Sequence, residues 1–388
     1  MQLIEVTNKK QVDAFHQLPY SIYKKDKNWV APLRMMVEDI FNPTKNNTLK
    51  KGSACRWLVY KNDKPVGRIA AFHTPGYAGQ FDQPTGGVGF FECIDDQEVA
   101  NELFDTAKAW LAAEGMEAMD GPINIGENFF NWGLLVDGFV QQCFGMNYNP
   151  EYYHRLWTNY GFQTYYKQYS YHLNITSPDL PERFWKIAAW MAKKPGYHYE
   201  HFTFKNREKY IADFIEIYDE AWRKHDNYKL IEPQDLRDMI NSSKLILEEE
   251  FIWFVYHEGK PIAFFMMIPD VNQLIKYFPS GKLNFFKILR MLYLKRKKVI
   301  TGCRVIVMGV VPKFQKSGIE SAIFYQLRQV LLRKNWYNDM ELSWVGDFNP
   351  KMISIFEAVG GKREKTHLTL RYLFDRQKEF KRSPIIED

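Results

Sequence analysis

The chain has 388 residues, 46% hydrophobic and 25% charged, which supports a real core but exceeds one compact unit of usual size, so two domains are expected. A net charge of +6 suits an anionic ligand and argues against a nucleic-acid binder of histone-like composition. No uncharged run approaches the roughly 20 residues that span a bilayer, the first ten lack signal-peptide order, and the cysteines are dispersed without a C-x-x-C pair, so a cytoplasmic protein with reduced thiols and no metal centre is expected.

Trp57 opens WLVYKNDKPV, two apolar runs around a polar turn, which predicts a hairpin. Val88 to Ile94 reads as a strand, and the amphipathic stretch after it as a helix capped by Asp95, with Glu98 three residues on. GGVG at Gly86 to Gly89 precedes that strand, so it is no dinucleotide fingerprint. From Asp120 to Phe139, Gly121, Pro122, Gly126 and Gly133 alternate with Asn124, Asn128 and Asn131 beside aromatics. Recognition of a polar substrate at a cleft and ordinary surface turns are both open readings of that stretch. Asn149-Pro150 introduces a short helix that Gly161 stops. NITSPDLP, residues 174–181, collects turn formers and predicts a join between domains 1–177 and 178–388.

The remaining chain repeats this plan. WFVYHEGKPI begins at Trp253, offset from the first hairpin by 253 − 57 = 196, and the second Asn-Pro stands at Asn349, offset by 349 − 149 = 200. Two similar α/β domains follow, each with a mixed, mostly antiparallel sheet flanked by helices. His198 and His201 are too few for a metal site. Lys282 to Arg304 carries eight cations and no acid. Phe285, Ile288, Leu289 and Leu292 mark an apolar face in it, expected to pack inward from an amphipathic helix with a solvated basic end. Contact of 282–298 with an anionic substrate or a membrane surface is the other reading.

Cys303 to Val311 is a β-branched apolar run suited to a buried strand, and Ile319 to Leu332 has helical spacing. Between them lie Pro312 and the polar loop Gln315, Lys316, Ser317, Gly318. The first amides of a helix lack internal partners and carry a partial positive charge of about half a unit, so a phosphate is their natural occupant. In the first half the matching connection is Asp95, Asp96, Gln97, Glu98, three acids that repel a pyrophosphate.

This strand, loop and helix resemble the GNAT acetyltransferase superfamily, whose loop Q/R-x-x-G-x-G/A holds the pyrophosphate of acetyl-CoA. Gln315, Lys316, Ser317 and Gly318 match it, while Glu320 replaces the final small residue. The strand Met340 to Val345, then Asn349 and a helix ending at Gly360-Gly361, resemble the second half of that motif. The resemblance implies a tandem GNAT-like protein with a degenerate first copy. It implies a cosubstrate, acetyl-CoA or another acyl-CoA, held by Met308, Gly309, Val310, Val311, Gln315, Lys316, Ser317, Gly318, Ile319 and Asn349. The acceptor it implies is a small-molecule or peptide amine near the domain interface, and the 3′-phosphate of CoA is a further possible partner for the basic stretch. Acyl transfer needs a base, for which Glu341 is the candidate, and a proton for the thiolate. The tyrosine common in the family seven residues after the Asn is Phe356 here, which leaves Tyr325, Tyr372 or solvent. Two alternatives stand beside this: an aminoacyl-tRNA-dependent transferase of the peptidoglycan-bridge type, and a non-catalytic CoA-binding or interaction protein.

Overall fold

The structure is a computed structural model and describes residues 1–125, 130–222, 231–315 and 317–386. The first half runs through β1 (Gln2–Glu5), α1 (Lys9–Ile22), α2 (Arg34–Ile40), the hairpin β2 (Ser53–Lys61) and β3 (Lys64–His73), and α3 (Pro75–Ala78). It continues with β4 (Thr85–Cys93), α4 (Gln97–Ala113), β5 (Ala118–Gly121), β6 (Leu134–Asp137), α5 (Tyr153–Tyr160) and β7 (Gln163–Leu173). The second half begins with α6 (Glu182–Met191), β8 (Tyr197–His201), α7 (Arg207–Trp222), α8 (Pro233–Ser243), the hairpin β9 (Ile252–His257) and β10 (Lys260–Pro269), and α9 (Asn272–Ile275). It ends with α10 (Phe285–Arg296), β11 (Gly302–Val310), α11 (Ile319–Arg333), β12 (Asp339–Gly346), α12 (Pro350–Ala358) and β13 (Lys362–Leu373).

The sequence echoes are structural equivalents. Both echoed hairpins turn through two residues of positive φ, Asn62 and Asp63 (50° and 58°) and Glu258 and Gly259 (51° and 80°), the geometry that matches strand twist in a two-residue loop. The short helices α5 and α12 are followed by Gly161 (φ 111°) and Gly360 (φ 103°), left-handed positions that end a helix without a Cβ clash.

The two halves share one sheet, ordered β1-β2-β3-β4-β5-β13-β7-β12-β11-β10-β9-β8, with β6 also on β13. At its centre the halves exchange strands. β13, from the end of the chain, lies between β5 and β7 of the first half. β7 in turn lies between β13 and β12. The buried Arg371 guanidinium ties this seam, donating from Nε to Asp120 Oδ1 (2.6 Å) and from an Nη to Oδ2 (2.8 Å), a bidentate geometry among the stronger side-chain pairs.

Each half has its own apolar core. Trp57, Val88, Leu103, Phe104 and Trp157 pack between β2–β5 and the helices α4 and α5. Trp185, Phe265, Ile323, Leu327, Leu342 and Phe356 pack α6, α11 and α12 against β10–β12. On the opposite face of the second half, Phe202, Tyr210, Ile217 and Phe264 join α7 to the sheet.

Two local expectations are corrected. The cap of α4 is Asp96, whose carboxylate accepts from the Glu98 and Val99 amides; Asp95 instead pairs with Arg155. In α10 the expected inward face is turned round: Phe285, Leu289 and Leu292 are exposed, and Met291 is the buried residue. Helical periodicity identifies an apolar stripe but not which side the rest of the fold covers.

Candidate functional site

β11 and β12 run parallel and paired only from Gly302/Asp339 to Val305/Leu342. Beyond that point β11 stays with β10 as far as Val310, whereas β12 shifts register against β7 between Leu342 and Val345. A wedge therefore opens between two strands that start as neighbours. The Val311 amide donates to the Ile262 carbonyl (2.9 Å), so alternation turns the peptide groups of Gly309 and Val311 toward β10 and those of Met308 and Val310 into the wedge. Of the four strand residues expected to contact the cosubstrate, Met308 and Val310 are thus the ones that offer hydrogen-bonding groups to it.

At the open end of the wedge α11 begins at Gly318, whose φ of 86° is left-handed and which provides no side-chain cap. The first intrahelical bond runs from the Ala322 amide to the Gly318 carbonyl (3.2 Å). Among the described residues, the amides of Gly318, Ile319, Glu320 and Ser321 have no acceptor. They form the set of donors that suits a phosphate. The loop side chains are engaged in shaping the turn: Gln315 Nε2 donates to the Val310 carbonyl (3.2 Å) and Ser317 Oγ to the Phe314 carbonyl (2.5 Å). Lys351 of α12 donates to Gln315 Oε1 (3.0 Å), which brings a cation to this rim that sequence spacing did not single out. Lys316 lies outside the described residues. Asn349 acts as the helix cap of α12, accepting from the Met352 amide (3.1 Å).

The first half shows what the same architecture looks like when closed. There the chain after β5 continues alongside β4, with the Ile123 amide donating to the Val88 carbonyl (2.9 Å). A Cβ on Gly89 would lie 1.8 Å from the Ile123 carbonyl oxygen, so the backbone itself fills the equivalent wedge. The start of α4 is capped by the Asp96 carboxylate, which also pairs with Lys61 (2.5 Å). The Glu98 and Val99 amides are thereby taken, and a carboxylate stands where an anion would sit.

At the closed end of the second wedge lies a buried polar cluster. Glu341 of β12 pairs with Lys365 of β13, both nearly excluded from solvent. Arg304 of β11 donates to Ser343 Oγ (2.5 Å) and to the Phe144 carbonyl (2.8 Å). Burial pushes the Glu341 carboxyl up, but Lys365 and Arg304 outweigh it and hold the group below its usual range. Lys365 shows the converse: burial would lower it, and Glu341 raises it. Beside them His367, fully buried, hydrogen-bonds the Asn147 carbonyl through Nε2 (2.9 Å), and burial depresses its pKa to about 4. The imidazole is therefore neutral near pH 7.

The stretch after Asp120 is not a set of surface turns in its described part: residues 121–125 and 132–135 are buried, Trp132 Nε1 donates to Tyr166 Oη (2.9 Å) and Thr369 Oγ1 (3.1 Å), and the Gly133 amide donates to the Pro122 carbonyl (2.7 Å). Just beyond it the Phe144 amide donates to Asp270 (2.8 Å). Gly126 and Asn128 lie outside the described residues.

The expected base and acid are not brought together. Met340 and Leu342 pack with α11, whereas Glu341, between them on β12, projects to the other face with Arg304 and Lys365. Tyr325 packs on the α11 side. Sequence reasoning missed Lys365, Arg304 and His367. The alternation in KTHLTLRYL, residues 365–373, carried part of that signal, because Lys365, His367, Thr369 and Arg371 share one strand face and all are buried; what covers them comes from 240 residues away in the chain.

Comparison with solved structures places this architecture. The tandem GNAT protein from the clavulanic acid biosynthesis pathway superposes with a TM-score of 0.59 over 96% of this chain and 98% of its own, at 10% identity. The fold is that of a tandem GNAT protein. No family model matches the chain. By sequence it is similar to the bacterial ceramide synthase of Caulobacter vibrioides, 27% identical over 383 residues, 95% of this chain and 96% of that protein. It is also similar to Protein YghO of Escherichia coli, 24% identical over 372 residues, 93% and 92% of the two chains. In the tandem GNAT frame, the open wedge belongs to the second copy and the filled wedge to the first.

Proposed function

We propose that the chain is an acyl-CoA-dependent N-acyltransferase whose second GNAT domain binds the thioester and whose first serves as scaffold. The observation that carries this is the uncapped start of α11 at the mouth of the β11–β12 wedge, set against a first copy in which the same place is capped and filled. The α11 amides, with Lys351 at the rim, would take the pyrophosphate of CoA. The pantetheine arm would run along the β11 edge, bonding the Met308 and Val310 peptide groups as an added strand does.

Transfer then follows in a ternary complex. The amine nitrogen attacks the thioester carbon, the carbon–sulfur bond breaks, and the proton lost by nitrogen is taken up so that CoA leaves as a thiol. Wedge amides stabilise the developing oxyanion, and alignment of the two substrates supplies a large part of the rate. Glu341, held ionised at the closed end by Lys365 and Arg304, is the carboxylate we assign to orienting the amine. The first acceptor to test is a long-chain amine with a fatty acyl-CoA, because a ceramide is the amide of such an amine and a relative of near-equal length is named as a ceramide synthase. The four cysteines are free, which fits a reducing cytoplasm where acyl-CoA is found.

Calorimetry with CoA, acetyl-CoA and desulfo-CoA tests the donor site, and release of thiol in the presence of an amine panel tests turnover. Saturable CoA binding with amine-dependent thiol release supports the reading. Absence of CoA binding at millimolar ligand sinks it.

A further inference from the structure

Helix α10 presents its apolar side chains to solvent. Phe285 is 69% exposed, Phe286 78% and Tyr293 59%, with Leu289 and Leu292 beside them on the same face, since positions 285, 289, 292 and 293 fall within one helical stripe. The opposite stripe is the one that packs: Met291 is buried, and Leu283 and Leu294 join the core of the second half. A neighbouring element adds to the patch. The Arg34 amide donates to the Gly281 carbonyl (2.9 Å), so α2, with Met35 and Met36 exposed, starts beside the turn that leads into α10.

The charges around this stripe have one sign. Residues 282–304 contain eight cations and no acid. Lys287 and Lys295 are tied to their own surroundings, through Ser280 and the Leu245 carbonyl, and Arg304 is buried. Lys282, Arg290, Arg296, Lys297 and Lys298 are exposed, and among the described residues none of them is in an ion pair.

We propose that α10 docks the protein on an anionic lipid surface, lying in the interface with Phe285, Phe286, Leu289 and Tyr293 in the acyl boundary and the cations among the headgroups. Exposed aromatic and leucine side chains gain by leaving water, and each cation near a negative leaflet adds attraction that salt screens. A second copy of the chain is disfavoured as the occupant, because an isologous contact would press one basic helix against another. An exposed helix face suits a fluid plane better than a peptide that needs a groove. This inference stands apart from the acyltransferase reading, since none of these residues lies in the β11–β12 wedge.

The test is flotation of the full-length protein with phosphatidylcholine vesicles and with vesicles that also contain phosphatidylglycerol. The expected result is flotation with the anionic vesicles that weakens as salt rises. Binding should fall about ten-fold or more in Phe285→Ser/Phe286→Ser, from the lost transfer energy of two aromatic rings, and similarly in Arg296→Glu/Lys297→Glu. All four side chains are exposed, so thermal melting should be unchanged, and CoA binding should be unchanged in the phenylalanine variant, which separates failure here from failure of the donor site. The inference is overturned if the wild-type chain stays unbound with anionic vesicles, or if the phenylalanine variant floats as the wild type does. A concentration-dependent dimer, seen by light scattering and abolished by the same variants, would also overturn it and assign the face to a second copy.

Discussion

A Cβ built on Gly318 would lie 3.2 Å from Met191 Cγ, so α6 closes against the glycine that starts α11. The position combines a left-handed φ of 86°, close packing and the start of a helix without a side-chain cap. Any side chain there is strained, and a large one must displace α6.

Gly318→Trp should therefore abolish CoA binding and also lower the melting temperature. Ser317→Asp separates the two effects. It brings to α11 an acid such as Asp96 provides for α4, which the helix dipole favours by about 0.3–1 kcal/mol, and it loses the bond to the Phe314 carbonyl, so net stability should change little. Affinity for CoA should drop at least ten-fold, because a carboxylate beside a pyrophosphate repels it. Calorimetry and a melting curve on the same sample check this, and unchanged affinity would move the phosphate site elsewhere.

Removing Glu341 from its buried pair leaves Lys365 only the part-exposed Glu364 (2.7 Å) as a partner. Glu341→Gln should cost about 3 kcal/mol of unfolding free energy, the low end for breaking such pairs. Glu341→Gln with Lys365→Met should recover a large share of that loss, because the pair repays its own desolvation only partly. Urea midpoints of the two single variants and the double variant give the cycle, and additive losses would contradict the pairing.

His367 makes stability depend on pH in a defined direction. Its folded pKa, about 4, lies below the usual value near 6.5, so the unfolded chain binds the proton more readily. Stability is then full above about pH 6.5 and is lost as pH falls toward 4, by about 2 kcal/mol between pH 7 and pH 5. His367→Gln, which keeps a donor for the Asn147 carbonyl, should flatten this slope. Urea unfolding at the two pH values decides it, and an equal slope in the variant would assign the dependence to other groups.

Strand exchange predicts that residues 1–177 and 178–388 do not fold apart. The first piece lacks β13 between its own β5 and β7, and the second lacks β7 beside β12. Each would expose unpaired central strand edges, which aggregate. Co-expressed, they should assemble into a soluble 1:1 complex. A soluble, cooperatively melting 1–177 piece alone would refute the dependence.

How much was legible follows from the range of the interactions involved. The hairpins at Trp57 and Trp253, the strand before Pro312, the start of α11 at Ile319 and the helix stop at Gly360 all appear as expected, since turn chemistry and periodicity act over a few residues. The uncapped helix start at Gly318 was legible for the same reason: a glycine and the first amides of a helix are a local device. What the local signal did not show is the setting of Gln315, which depends on Val310, five residues back, and on Lys351 of α12.

What sequence alone determined, then, is a duplicated α/β chain with one glycine-led, uncapped helix start and one acidic, capped counterpart, because residue type and spacing within each element dictate both. Only the tertiary structure decided that the halves interlace through β7 and β13, that Glu341 is buried in an ion pair with Lys365 rather than solvated, and that α10 faces outward. These outcomes depend on which distant segments cover a given face. Pairing energy between strands is nearly indifferent to sequence separation, so it leaves no periodic trace in the chain.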